Sequence, residues 1–126
     1  MLQETQGTIE QTVKRIYICY VQLNDMLAEL TKRLEVGVKQ TRGVWWEASA
    51  SYAKSFNAIL AIAKEAFKID DQFAESIQDL ENVEEGLGES VMERVISHGS
   101  KLRGTLQAFV SLHMSAQEKE KIGFHS

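Results

Sequence analysis

The sequence predicts an all-α protein of one domain spanning residues 1–126, built either as an elongated antiparallel helical coiled coil or as a three-helix bundle. Three observations carry this. No proline occurs in the 126 residues, so nothing in the chain forbids long helices. Apolar residues recur at alternating steps of four and three along three separate stretches, which places them on one side of a helix. Between those stretches the punctuation is left to glycine pairs.

The first stretch is marked by Ile9, Val13, Ile16, Tyr20, Leu23, Leu27, Leu30 and Leu34. A stripe this narrow is a seam, and a seam needs a partner helix within the chain or from a second chain. Leu23, Leu27, Leu30 and Leu34 are therefore the expected interface residues. Gly37 and Gly43 bracket the end of this seam, as a turn or as a kink.

A second seam runs through Trp45, Ser49, Tyr52, Phe56, Ile59, Ala63, Ala66, Asp70, Phe73, Ile77 and Leu80. Asp70 is its one charged member, and Asp70-Asp71 ahead of Phe73 is good N-cap chemistry, so a turn is predicted near Lys68 to Asp71. The third stretch carries Val91, Val95, His98, Leu102, Leu106, Phe109 and His113. Ser90-Val91-Met92-Glu93 has capping-box spacing, which lets this helix begin afresh at Ser90 or continue the previous one through a bend at Gly86 and Gly88. A turn at Gly37 to Trp46 makes a short bundle. A helix continuous through that region, turning at Lys68 to Asp71, makes a long rod that dimerises.

Residue chemistry argues against an enzyme. His98, His113 and His125 are spread too widely for a local metal pair, and no glycine-rich phosphate loop or nucleophile elbow occurs. The single Cys19 sits beside Tyr20 on a helix and reads as packing, and one cysteine suits a reducing compartment. We expect no catalytic, metal or cofactor-binding residues and no small-molecule substrate. Tandem Trp45-Trp46 is the most unusual local feature. Neighbours on a helix point about 100° apart, so a narrow seam hides one indole and the other reaches a second surface: either a wide core or a chain end packs both rings, or the spare ring anchors a dimer interface, where tryptophan is enriched.

Charge is uneven. The net charge is −4, yet Asp70 to Glu93 holds nine acidic residues and no Lys or Arg, a stretch that excludes nucleic acid as a partner. The first sixty-odd residues are slightly basic through Lys14, Arg15, Lys32, Arg33, Lys39, Arg42 and Lys54. Of these, the six from Lys14 to Arg42 form the candidate membrane-binding set, a cationic strip for anionic lipid. No apolar run reaches the ~20 residues of a membrane span, and Met1 to Gln11 is too polar for a secretory signal. The expected location is the cytoplasm, peripheral on membranes where the basic face engages lipid.

The stretch Val38 to Leu60, with Arg42 and then Ser51-Tyr52-Ala53-Lys54-Ser55-Phe56, resembles the first helix of BAR domains of the sorting-nexin kind. Phe73-Ala74-Glu75-Ser76-Ile77-Gln78-Asp79-Leu80-Glu81-Asn82-Val83-Glu84-Glu85 looks like the start of that family's second helix. The resemblance is a pattern of apolar and charged positions over about two thirds of the chain. It implies a crescent-shaped antiparallel homodimer whose basic face binds and shapes anionic membranes in intracellular trafficking. This chain departs from the family in being short and in carrying the acidic run. A tryptophan near residue 45 between two helices of a small proline-free chain also resembles the WXG family of type VII secretion substrates, which act as helical dimers. The glycine of that signature is missing, because Trp45-Trp46-Glu47 and Trp46-Glu47-Ala48 stand in its place. A coiled-coil protein–protein adaptor is the third reading, and all three imply a homodimer or a helical protein partner.

Overall fold

In the computed structural model the described residues are 2–36, 42–86 and 88–113, with side chains described for 9–33, 49–86, 88 and 90–113. Four α-helices follow one another: α1 (Leu2–Val36), α2 (Arg42–Ala66), α3 (Asp71–Ile77) and α4 (Glu89–His113), with a 3-10 turn at Phe67–Ile69 after α2. No strand occurs among the described residues. The long helices α1, α2 and α4 each pack against the other two. Gly37, where the sequence predicts a turn or a kink, lies outside the described residues, but α1 and α2 pack side by side, so the three-helix bundle is the architecture formed and the long rod is not.

Contacts fix the directions. Arg33 lies over the Tyr52 ring near one end of α1, while Gln22 shares a groove with Ile62 about three turns further down, so α1 and α2 run antiparallel. Gly99 approaches Leu27 and Leu23, and Arg103 donates to Asn24 at 3.3 Å, which makes α4 antiparallel to α1 as well. It follows that α2 and α4 are parallel, and the ring contacts agree: Phe56 meets His98 and, eleven residues on in both helices, Phe67 meets Phe109.

The seams predicted from spacing are the core. Val13, Ile16, Leu23, Leu27 and Leu30 of α1, Phe56, Ile59, Ala63 and Ala66 of α2, and Val91, Val95, Leu102, Leu106 and Phe109 of α4 are all buried. Each helix touches two others, so its buried face is wider than a two-stranded seam. Thr12, Cys19 and Met26 widen it on α1, Leu60 on α2, and Met92 and Val110 on α4. Ile9, Tyr20, Tyr52 and Phe73 are partly buried against this core.

The turn after α2 forms where the Asp70 break predicts it. Asp70 is extended (φ −138°, ψ 101°) and its Oδ1 accepts from the backbone N–H groups of Gln72 at 3.1 Å and Phe73 at 3.2 Å, capping α3. Above the turn, Phe67, Phe73 and Phe109 close one end of the bundle with ring centroids 5.1–5.6 Å apart.

The structure departs from helical expectation after Ile77. The chain turns at Gln78-Asp79 and runs extended from Leu80 to Gly86, and α4 starts afresh at Glu89. Topology explains this. For α4 to run parallel to α2, the chain must return along the whole of α2, and extended backbone does so with the fewest residues. Six extended residues cover about 20 Å, close to the roughly 22 Å of the fifteen helical steps from Ser49 to Lys64. Local sequence allows it: Glu81, Glu84 and Glu85 would stack like charges at helical spacing, and Gly88 has φ +130°, a backbone setting that disfavours any side chain.

Candidate functional site

The extended strap is held by side chains that read its backbone. Lys64 Nζ donates to the Leu80 carbonyl at 2.7 Å. Asn57 Nδ2 donates to the Val83 carbonyl while its Oδ1 accepts the Val83 N–H, both at 2.8 Å. Ser49 Oγ donates to the Gly86 carbonyl and accepts the Gly88 N–H, both at 3.0 Å. From the α4 side, His98 Nδ1 donates to the Glu81 carbonyl at 3.1 Å. Steps of seven and eight on α2 match steps of three on the strap, because both advance about 10–12 Å. Val83 is buried and Leu80 partly so, while Glu81, Glu84 and Glu85 point to solvent.

These bonds absorb residues that sequence alone leaves without a role. His98 belongs to the strap, and His113 packs on Phe109 with ring centroids 4.5 Å apart. Cys19 is 2% exposed, and burial raises its thiol pKa against the smaller opposing effect of Arg15. Among the described residues no three His, Cys, Asp or Glu side chains converge as a metal site.

The residues predicted as an interface fall in two places. Leu23, Leu27 and Leu30 lie in the bundle core, covered by the chain's own helices, so none of the three is offered to a second chain. The side chains of Leu34, Trp45 and Trp46 lie outside the described residues, although all three positions are helical in backbone.

The predicted basic set does not make one surface. Lys14 and Lys32 are eighteen residues apart, five full turns, and share the outward face of α1. Arg15 and Arg33 stand about 100° round the helix from them. Lys14, Arg15 and Lys32 are exposed, whereas Arg33 pairs with Glu29 at 3.1 Å and covers the Tyr52 ring at 5.7 Å. Lys39 lies outside the described residues, as does the side chain of Arg42, which opens α2. Exposed Asp25 interrupts the line from Lys14 to Lys32.

Beside this face lies an open groove of about 530 Å³ between α1 and α2. Met26, Ile59 and Ile62 give it an apolar floor, and Asp25, Glu29 and Tyr52 give it a polar side. Burial, and then its hydrogen bond to Glu29, push the Tyr52 phenol up to about 12, against the opposing charge of Arg33. Large apolar side chains remain in solvent here: Ile18 is 54%, Ile62 40% and Val21 36% exposed. The legible sign of Ile18 and Val21 was a second row on α1, Lys14, Ile18, Val21, Asp25, Ala28 and Lys32, again at steps of four and three but on the side opposite the seam. It is half polar and so escapes a search for apolar stripes.

None of the helices among the described residues is long and apolar enough to cross a membrane. No protein-family model, curated protein or solved structure matches the chain.

Proposed function

We propose that the chain is a non-enzymatic helical scaffold that docks protein on the outward face of α1 and the adjoining α1–α2 groove. The observation that carries this reading is exposed Ile18 and Val21 between Lys14 and Asp25 on the outward face of α1, with exposed Ile62 in the adjoining groove beside Asp25 and Glu29, apolar surface with a charged rim of the kind protein interfaces use. Buried Cys19 suits a cytoplasmic setting.

The other reading, a BAR-like dimer on anionic membranes, has support from exposed Lys14, Arg15 and Lys32 and from the family resemblance. It is weaker on geometry, because the cations split between two faces, Arg33 is engaged by Glu29, and exposed Asp25 on the same face opposes a lipid surface.

Two experiments separate the readings. Co-sedimentation at low salt with anionic and with zwitterionic vesicles is expected to show no pelleting. Salt-sensitive pelleting with anionic vesicles, reduced when Lys14, Arg15 and Lys32 are changed to Gln, would transfer the function to the membrane. A photo-crosslinking residue replacing Ile62 is expected to trap discrete protein adducts in cells, and one replacing exposed Glu93 on α4 is not.

A further inference from the structure

We propose that the outward face of α1 pairs with the same face of a second copy, antiparallel, about a two-fold axis level with Cys19 and Tyr20. The proposal rests on the docking reading above and names its partner. A two-fold interface must be complementary to itself, so each residue at one end has to match a residue at the other. The row does so. With the helices antiparallel and positions summing to 39, Lys14 faces the partner's Asp25, Ile18 faces the partner's Val21, and both pairs recur by symmetry. The two apolar pairs form the centre and the two ion pairs close the ends, three turns in all.

Charge selects this register over its competitors. A parallel in-register pairing sets Lys14 on Lys14 and Asp25 on Asp25. An antiparallel pairing shifted to bring Lys14 opposite Lys32 repels there and buries Asp25 against Val21. Within one chain Lys14 and Asp25 are about 16 Å apart along the axis and do not meet. Neither has an ion pair within the chain among the described residues, where the ion pairs are Arg33–Glu29 and Lys68–Glu65. Both are exposed, and so are Ile18 and Val21, so substitutions there do not disturb the core.

Sedimentation velocity of the full chain from low to high micromolar concentration tests the pairing, with circular dichroism to show that each variant is folded. The wild type is expected to associate reversibly to a dimer. Ile18→Asp with Val21→Asp should abolish association. Lys14→Asp alone and Asp25→Lys alone should each weaken it roughly tenfold, since each turns two attractive pairs into two repulsive ones. The combined Lys14→Asp, Asp25→Lys variant should restore it, which only contact between copies explains. A wild type that stays monomeric overturns the proposal, as does a dimer insensitive to the Ile18 and Val21 changes or a charge swap that fails to rescue. A monomer whose crosslinker at position 62 still traps another protein refutes the self-pairing and leaves the scaffold standing. A monomer that instead pellets with anionic vesicles through Ile18 and Val21 refutes both.

Discussion

The side-chain amide of Asn57 closes two 2.8 Å hydrogen bonds with the backbone of Val83, donating to its carbonyl and accepting from its N–H. A side chain here performs the pairing that a neighbouring strand would perform, and it fixes the strap at its midpoint. Val83 is 2% exposed, so its backbone groups have little access to water as a substitute.

Asn57→Ala is therefore expected to destabilise the protein by about 2–3 kcal/mol, more than a solvated hydrogen bond is worth, because two partly buried backbone groups lose their partner together. Asn57→Asp should do no better, since it keeps the acceptor but sets a carboxylate oxygen against the Val83 carbonyl. Urea unfolding measures the loss, and hydrogen exchange at the Val83 amide locates it. A variant within about 0.5 kcal/mol of wild type would show that the strap is held without the Asn57 pair.

Asp70 offers a second, more local test. Its carboxylate satisfies the first free N–H groups of α3, so Asp70→Ala should cost about 1 kcal/mol, while Asp70→Ser or Asp70→Asn should retain most of the stability. Equal losses in all three variants would assign the effect to charge and not to capping.

Two glycines in α4 should respond to alanine in opposite ways. A Cβ at Gly99 would stand 2.8 Å from Leu27 Cδ2 and 3.4 Å from Leu23 Cδ1, both buried between α1 and α4, whereas one at Gly104 meets nothing within 4 Å. Gly104→Ala should stabilise by about 0.5–1 kcal/mol through helix propensity. Gly99→Ala gains the same propensity but must displace the Leu27 methyls within the closed core, and overpacking of about 1–3 kcal/mol makes it a net loss. Thermal unfolding of the two variants side by side decides it, and a stabilised Gly99→Ala would mean that α4 is not closely seated on α1.

Tyr52 sets an upper pH limit. Its folded pKa is raised to about 12 from the ordinary 10.0, first by burial and then by its hydrogen bond to Glu29. The unfolded phenol ionises first as pH rises, so the stabilisation is complete below pH 10 and is lost between about pH 10 and 12. Ultraviolet titration of the folded protein should show a late phenol step that Tyr52→Phe removes. Stability measured across the same window should fall less steeply in that variant than in the wild type.

What the residues determine by themselves is local. The 4-3 spacing from Ile9 to Leu30 and from Val91 to Phe109 marks the buried sides of α1 and α4, because side chains at those intervals share a helix face whatever lies opposite. Asp70 was legible as a turn for a similar reason: a carboxylate and the N–H groups two and three residues on are neighbours in the chain. Leu80 closes the second row of that spacing and is nevertheless extended, since there the run of acids meets a need no local pattern encodes, the return of the chain along α2. Only the tertiary structure brings Asn57 to Val83 and Ser49 to Gly86 and Gly88, across 26 to 39 residues of chain. It alone also decides that Leu23 and Leu27 are spent inside the bundle while Ile18 and Val21 are left outside. Periodicity says that a helix has a face to cover, and which element covers it depends on long-range packing.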